Sequence, residues 1–152
     1  MLHQTKELLR LLPAALLLAG VAQAQSHATE SDRYVLRSTT VASEPIDAAA
    51  AQRHGVVPAP DRAVVNVVLL RRASVGAYIT VPARVAVSMR TASGFSSDIE
   101  MLEVRENGAI SYLGSYQFLP RQMINFDISA APTEDAQQRP LKLDYRERMW
   151  AH

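Results

Sequence analysis

Residues 79–89 read Ile-Thr-Val-Pro-Ala-Arg-Val-Ala-Val-Ser-Met and carry the clearest period-two pattern of the chain. Every second residue in this stretch is apolar, and the opposite parity includes charged and polar residues. Successive side chains of a strand point to opposite faces of a sheet, so the pattern predicts a strand with one buried face. Pro82 cannot donate a ladder hydrogen bond, so we expect the strand either to lie at an edge there or to begin at Ala83.

Six further segments show strand-like patterns, at about residues 33–41, 63–70, 99–104, 110–118 and 124–130, and from 141 onward. The segment 63–70 is apolar on both parities, which is typical of a central strand covered on both faces. The segment 99–104 changes its apolar parity near Met101, which predicts a β-bulge. Asn107-Gly108 follows that segment and is the strongest short hairpin signal, since both residues tolerate positive φ.

One segment departs from the strand pattern. Residues 46–53 contain four consecutive alanines, Ser43 can cap a helix, Pro45 suits a first turn, and Gly55 sits where a helix ends. The sequence therefore predicts one short helix, which is marginal in isolation and must pack on the body of the domain.

The fold class follows from this order of elements. Strands that succeed one another without intervening helices pair antiparallel, and seven of them usually form two packed sheets. We predict an all-β, immunoglobulin-like antiparallel β-sandwich of about seven strands, with the short helix crossing between strands one and two. A small closed barrel is the alternative.

The first 24 residues have the order of a secretory signal peptide. Lys6 and Arg10 give a positive start, residues 11–21 are apolar, and Ala22 and Ala24 are the small residues that a signal peptidase recognises. The apolar run is shorter than the roughly 20 residues that span a bilayer. We therefore expect a cleaved signal peptide over residues 1–24 and no stable membrane anchor after cleavage.

Cleavage after Ala24 divides the remaining chain in two. Residues 25–32 are polar and without periodicity, so we expect a flexible tail there. Residues 33–152 are long enough for a single β-sandwich domain with one core. The chain has no cysteine, which excludes disulfides and lipid attachment at the cleavage site. The periplasm is the expected location, and release from the cell is the alternative.

Charge argues against nucleic acid as a partner. Loss of Lys6, Arg10 and Glu7 with the leader leaves 14 basic and 14 acidic residues. A formally neutral domain lacks the clustered positive charge that nucleic-acid binding requires.

Histidine and acidic residues offer no catalytic constellation. The mature chain holds His27, His54 and His152, and no serine lies in a G-x-S-x-G setting. His54 stands at the predicted helix end, where a histidine usually interacts with the helix dipole. Four acids fall on or near one predicted strand, at Asp98, Glu100, Glu103 and Glu106, and a solvated strand face explains them better than a calcium site.

Methionine and aromatic residues give no clearer site. The four methionines of the mature chain are scattered, and Met89 is expected in the core. The alternating Tyr112, Tyr116 and Phe118 are expected to pack inward. Trp150 is the candidate for contact with a partner, because a tryptophan near a chain end either folds back over the sandwich or awaits another protein. The sequence thus predicts no catalytic residue, no metal ligand and no cofactor.

The stretch from Tyr34 to Tyr145 resembles an uncharacterised family of small exported proteins from Gram-negative proteobacteria, catalogued as a domain of unknown function. The resemblance lies in the strand that leads to His54-Gly55-Val56, in the valine-rich residues 63–70, in residues 106–112, and in residues 118–128. It implies export and a β-sandwich, and it implies no catalytic residues.

Two functions remain open at this point. The first is a non-catalytic periplasmic binding or accessory module that meets an unknown periplasmic protein through a sheet edge or end loops. The second is a carrier of a small ligand or a metal, with Trp150 and the acidic strand as its contact surface. The sequence does not define the oligomeric state.

Overall fold

In the computed structural model, which describes residues 25–150, ten strands form two antiparallel sheets and one short helix lies outside them. The predicted all-β class with two antiparallel sheets is confirmed, but the predicted count of about seven strands is too low for residues 25–150, which hold ten. The elements are β1 (Gln25–Glu30), β2 (Tyr34–Ala42), α1 (Ala48–Arg53), β3 (Arg62–Ser74), β4 (Ala77–Thr80), β5 (Ala83–Thr91), β6 (Ser96–Ile99), β7 (Leu102–Glu106), β8 (Ala109–Gln117), β9 (Met123–Pro132) and β10 (Leu141–Arg148).

Sheet A has the order β1-β2-β3-β8-β7, with β4 paired to the far end of β3. Sheet B has the order β10-β9-β5-β6. The apolar faces of both sheets meet in one core, to which β3 contributes Val67 and Leu69, and β9 contributes Phe126 and Ile128. Both faces of β3 are buried over most of its length, as the valine-rich sequence predicts.

The predicted strand over residues 79–89 is two strands. Val81 and Pro82 separate β4, in sheet A, from β5, in sheet B. Of the two predictions for Pro82, the start of a strand at Ala83 is therefore correct. Ile79 belongs to β4 and is exposed, whereas Met89 of β5 is buried as predicted.

The predicted bulge near Met101 is wrong. β6 ends at Ile99 in sheet B and β7 begins at Leu102 in sheet A, so the chain crosses between the layers there. The apolar parity changes because each half of the segment turns a different side to the core. Gly114 of β8 lies under this crossing, where a Cβ atom would stand 2.5 Å from Ile99 Cγ2 and 2.5 Å from Met101 Sδ.

The hairpin that follows the crossing is confirmed. Asn107 has φ 50° and Gly108 has φ 77°, as a type I′ turn requires, and Glu106 pairs with Ala109 across it.

The helix is shorter and differently capped than predicted. It begins after Asp47, whose carboxylate accepts hydrogen bonds from the N–H groups of Ala49 and Ala50, so Asp47 and not Ser43 is the N-cap. It joins β2 to β3, which are neighbours in sheet A, and covers the outer face of that sheet through Ala51. The prediction placed the helix between strands one and two, and the structure places it between the second and third strands because β1 precedes them.

The N-terminal segment also differs from prediction. The structure places Gln25–Glu30 in an edge strand that pairs with β2 along its whole length, where the sequence predicted a flexible tail over residues 25–32. Backbone pairing explains the difference, because β1 has no buried side chain and hence no hydrophobic signal. The predicted signal peptide, with Ala22 and Ala24, lies outside the described residues. Within residues 25–150, no helix is long and apolar enough to cross a membrane.

Candidate functional site

The interior of the sandwich becomes polar at one corner, where the edge strands of the two sheets approach each other. Alternation along β10 turns Leu141, Leu143 and Tyr145 inward, and then the carboxyl group of Glu147. Alternation along β2 turns Ser38 inward after a run of apolar positions. The buried or half-buried members of this polar corner are His27, Ser38, Thr40, Tyr116, Tyr145, Glu147 and Met149.

His27 closes the polar corner from β1. Its register partner on β2 is Ser38. Its ring stacks on the ring of Tyr145, with centroids 3.9 Å apart and an interplanar angle of 11°. Its Nε2 atom is 3.0 Å from Oε1 of Glu147. The side chain of His27 is 30% exposed and that of Glu147 is not exposed, so the histidine stands between the carboxylate and solvent.

Glu147 is the unusual group of the polar corner. Its Oε2 atom is buried and has no hydrogen-bond partner among the described residues. Burial raises the pKa of Glu147 because it penalises the charged form, and the hydrogen bond to His27 opposes that rise. Buried acids that lack a full set of partners are uncommon and call for an explanation.

Hydroxyl groups surround the carboxylate. Tyr145 Oη lies 2.8 Å from Ser38 Oγ and 3.4 Å from Thr40 Oγ1. The hydroxyl of Tyr116 points at Sδ of Met149, 4.0 Å away. Burial and the nearby Glu147 carboxyl raise the pKa of the Tyr116 phenol, which therefore stays protonated at physiological pH. The polar corner thus combines an imidazole, a carboxylate and a thioether with neutral hydroxyl donors.

The polar corner lacks the parts of a nucleophilic catalyst. Ser38 bonds to Tyr145 and not to His27, so no hydroxyl is paired with the imidazole as a base would require. Side chains alone do not complete a metal site either. Among residues 25–150, no group of three or more His, Cys, Asp or Glu side chains could hold a metal ion.

Trp150 folds back against the core, which is one of the two arrangements that the sequence allows for it. It is 9% exposed and packs edge-on against Phe118, with ring centroids 5.4 Å apart. The contact of Trp150 with a partner stays a prediction, and little of this side chain is exposed in the structure. Tyr112, Tyr116 and Phe118 are buried, as the core-packing prediction requires.

His54 and the acidic residues that the sequence placed near one strand do not come together in a single site. His54 caps the C-terminus of α1, and its Nε2 atom is 3.5 Å from Oε1 of Glu106. Glu103 bonds to Arg105 and to the hydroxyl of Tyr112. Asp98 lies across the sandwich in sheet B, because the chain changes sheets after β6. The second half of the predicted contact surface, the acidic strand, is therefore divided between the two sheets.

Two surface depressions lie away from the polar corner. One, of about 430 Å³, is on the outer face of sheet B and includes Asp98, Asp127 and Asp144 with Lys142. The other, of about 200 Å³, lies beside His54 and Leu102. Neither is lined by a buried polar atom that lacks a partner. The polar corner at Glu147 is therefore the better candidate site.

Sequence reasoning missed the polar corner for an identifiable reason. His27 and Glu147 are 120 positions apart, and residues 25–30 carry no apolar pattern that would reveal a strand. A signal did exist on β10, where Glu147 continues the inward row of Leu141, Leu143 and Tyr145. An acid on the buried parity of a strand indicates a polar site in the interior.

These features define an antiparallel two-sheet β-sandwich with a buried carboxylate at an open side. The chain belongs to the family described as "Domain of unknown function (DUF4426)", whose model matches residues 28–151. No curated protein matches the sequence significantly.

Solved structures share this fold. A DUF4426 family protein from Pseudomonas aeruginosa PAO1 has 18% identity and a TM-score of 0.70, over 84% of this chain and 96% of that one. FetP of uropathogenic Escherichia coli strain F11 has 10% identity and a TM-score of 0.61, over 85% and 97% of the two chains. A copper-bound variant of FetP has 10% identity and the same TM-score, over 86% and 99%. At these identities the likeness concerns the fold.

Proposed function

We propose that this protein is a non-catalytic exported carrier that binds a metal cation beside His27 and Glu147, in the periplasm. The observation that carries the proposal is the carboxyl group of Glu147, which is buried, bonded to His27 through one oxygen and, within residues 25–150, without a hydrogen-bond partner at the other. An incompletely compensated buried charge is costly. A cation at the side of the sandwich where His27 meets solvent would compensate that charge.

The donor atoms suit a transition metal of the copper class. Imidazole nitrogen is a common ligand of copper, and thioether sulfur favours its reduced form. Met149 is buried beyond Glu147 on the same side of the chain, with its sulfur directed at Tyr116. The structural likeness to FetP, of which a copper-bound variant is known, supports the same class of ligand.

Contact with another protein is the second candidate function. Its support is that β1 is the edge strand of sheet A and that no side chain of β1 is buried, so its outer side offers backbone groups to an added strand. An immunoglobulin-like sandwich commonly recruits partners in this way. Trp150 no longer supports this candidate, because it packs in the core.

Metal analysis of the purified, processed protein separates the two candidates. We expect one equivalent of bound metal after titration with Cu(II) or Cu(I), loss of that binding in His27→Ala, and weaker binding in Glu147→Gln. Asp144→Asn is the matched control, because Asp144 is an exposed carboxylate of the same strand that faces the opposite side. A wild-type protein without metal affinity, or an equal loss in Asp144→Asn, would contradict the carrier proposal. In the first case, crosslinking in intact cells to identify a protein partner would follow.

A further inference from the structure

We infer that, once the leader is removed after Ala24, the new N-terminus Gln25-Ser26-His27 is itself a Cu(II) site. Its four nitrogen ligands are the α-amine of Gln25, the backbone amide nitrogens of Ser26 and His27, and Nδ1 of the His27 ring. The inference rests on the proposed carrier function and on the proposed processing, and it names the metal ion and its ligands.

The position of His27 as the third residue of the processed chain allows the N-terminus and the imidazole to chelate one metal ion. With histidine in the third position, the amine, the two amides and the ring follow one another along the chain, so that fused chelate rings bring four nitrogens into one plane. A square of nitrogen ligands is the arrangement that Cu(II) and Ni(II) prefer. Neither Ser26 nor His27 is proline, so both amides carry a hydrogen that the metal displaces.

The reaction is balanced without a redox partner. Binding releases one proton from the α-ammonium group and one from each of the two amides, while the neutral imidazole coordinates through its lone pair. The copper enters and remains as Cu(II). Affinity therefore rises with pH, as it does for any site whose ligands must lose protons.

The orientation of the His27 ring fits this role. Nε2 lies 3.0 Å from Oε1 of Glu147, and among the described residues Nδ1 has no hydrogen bond. In the tautomer that carries its hydrogen on Nε2, the ring donates to Oε1 of Glu147 and Nδ1 keeps the lone pair that copper needs. A carboxylate behind a metal-bound imidazole fixes the ring tautomer and increases the basicity of the ligand.

The position of the tripeptide allows it to fold around an ion. Residues 25–27 are the first three of edge strand β1, and their register partners are Thr40, Thr39 and Ser38. Planar coordination requires these first pairs of the ladder to open, while residues 28–30 remain paired with β2. The opening removes no side chain from the core, because β1 buries none.

The processed N-terminus also supplies metal ligands that the side chains of the polar corner do not provide. No group of three or more His, Cys, Asp or Glu side chains within residues 25–150 could hold a metal ion. One imidazole and one carboxylate are too few ligands for a tight site, and the processed terminus adds three nitrogens to the imidazole. The family model matches residues 28–151 and therefore does not include these three residues.

The experiment compares two N-termini of otherwise identical protein. A removable tag yields one chain that starts at Gln25 and another that starts with a single extra Ala before Gln25, so that His27 becomes the fourth residue. Cu(II) is added to each, and the visible absorption band of a four-nitrogen square-planar complex is recorded together with the affinity in competition with a chelator. Glu147→Gln and Met149→Leu are tested on the first chain, and thermal melts verify that all forms are folded.

We expect the chain that starts at Gln25 to develop the band with one equivalent of Cu(II), and the extended chain to lose it. The affinity of the extended chain should fall by about a hundredfold or more, because the extra residue breaks the multivalent chelate. Glu147→Gln should keep the band and lose about tenfold in affinity, as outer-shell partners of a metal-bound histidine do.

Two results would overturn the inference. One is an extended chain that binds Cu(II) as tightly as the first while Glu147→Gln or Met149→Leu abolishes binding, in which case the carrier function stands with an interior site. The other is an exported protein whose mass shows a different first residue or a Gln25 that has lost ammonia, since a cyclised glutamine has no free amine. Absence of any metal binding would refute the carrier function as well.

Discussion

The imidazole of His27 and the carboxyl group of Glu147 meet at 3.0 Å although 120 positions separate them in the sequence. His27 belongs to the first strand of sheet A and Glu147 to β10, the edge strand of sheet B. Their contact therefore bridges the open side of the sandwich, together with the stack of His27 on Tyr145.

Replacing Glu147 with Gln should raise stability at neutral pH and flatten its pH dependence. Burial raises the pKa of Glu147 in the folded protein above the ordinary value of 4.5. Between pH 4.5 and the raised pKa of the folded protein, the folded state binds more protons than the unfolded state. The contribution of Glu147 to stability is therefore fully present below about pH 4.5 and is lost as pH rises through the folded pKa. The neighbouring groups that face Glu147 are His27, Thr40, Tyr116 and Tyr145.

Denaturant melts from pH 4 to 8 provide the measurement for Glu147→Gln. We expect the variant to gain about 1 to 2 kcal/mol at pH 7, because an uncompensated buried charge is removed and the amide can still bond to His27. Asp144→Asn serves as the control and should change little, since Asp144 is exposed. A wild-type protein whose stability increases from pH 5 to 7 more than that of the variant would contradict the sign of the pKa shift.

Replacing His27 with Ala should loosen β1 more than any other single change in that strand. No side chain of β1 is buried, so the stack on Tyr145 and the bond to Glu147 are its main side-chain contacts with the opposite sheet. Loss of a buried hydrogen-bond partner costs about 1 to 3 kcal/mol. Amide hydrogen exchange of residues 25–30 should accelerate in His27→Ala and remain unchanged in Ser26→Ala, whose side chain is exposed. Equal exchange in the two variants would show that the backbone ladder alone holds the strand.

Replacing Gly114 with Ala should destabilise the domain through a steric clash. The added Cβ would lie 2.5 Å from Ile99 Cγ2, 2.5 Å from Met101 Sδ and 2.9 Å from the carbonyl oxygen of Glu100. Because the last of these is backbone, the crossing between the sheets must move, at a cost of about 1 to 3 kcal/mol. Gly76→Ala is the contrast, since nothing lies within 4 Å of its added Cβ and its cost is backbone strain at φ 75°. A melting temperature of Gly114→Ala equal to that of the wild type would place the crossing further from β8.

The periodicity of apolar residues predicts the strands that have one apolar face. It does not predict a strand that is defined only by backbone pairing with its neighbour. The inward row of β9 could be predicted from the sequence because its apolar residues, Ile124, Phe126 and Ile128, are all buried. Strand β1 could not be predicted in this way, because its residues alternate only between half-buried and exposed positions. Backbone hydrogen bonds leave no trace in the order of side chains, so a polar edge strand looks like a tail.

The sequence shows the change of parity near Met101 but does not reveal its cause. A bulge and a crossing between sheets both reverse which parity faces the core, and the sequence does not distinguish them. The small residue that makes room for the crossing, Gly114, is 13 positions away on β8 and carries no pattern of its own.

The candidate site could be predicted only in part. The acid on the inward row of β10 was visible in the sequence, whereas its partner His27 required the pairing of β1 with β2. Site residues that meet across sheet edges depend on topology, and topology is set by contacts between distant segments.

The bridge between β1 and β10 has a consequence for how the chain reaches its final state. A protein chain is synthesised from its N-terminus. The β1–β2 hairpin can therefore form early, while β10, which holds Glu147, is synthesised last. The contact closes a loop of nearly the whole domain, and such non-local contacts are associated with slow folding. Until β10 is in place, the imidazole of His27 remains open to solvent. A contact made by the last strand of the domain thus holds the first strand in place.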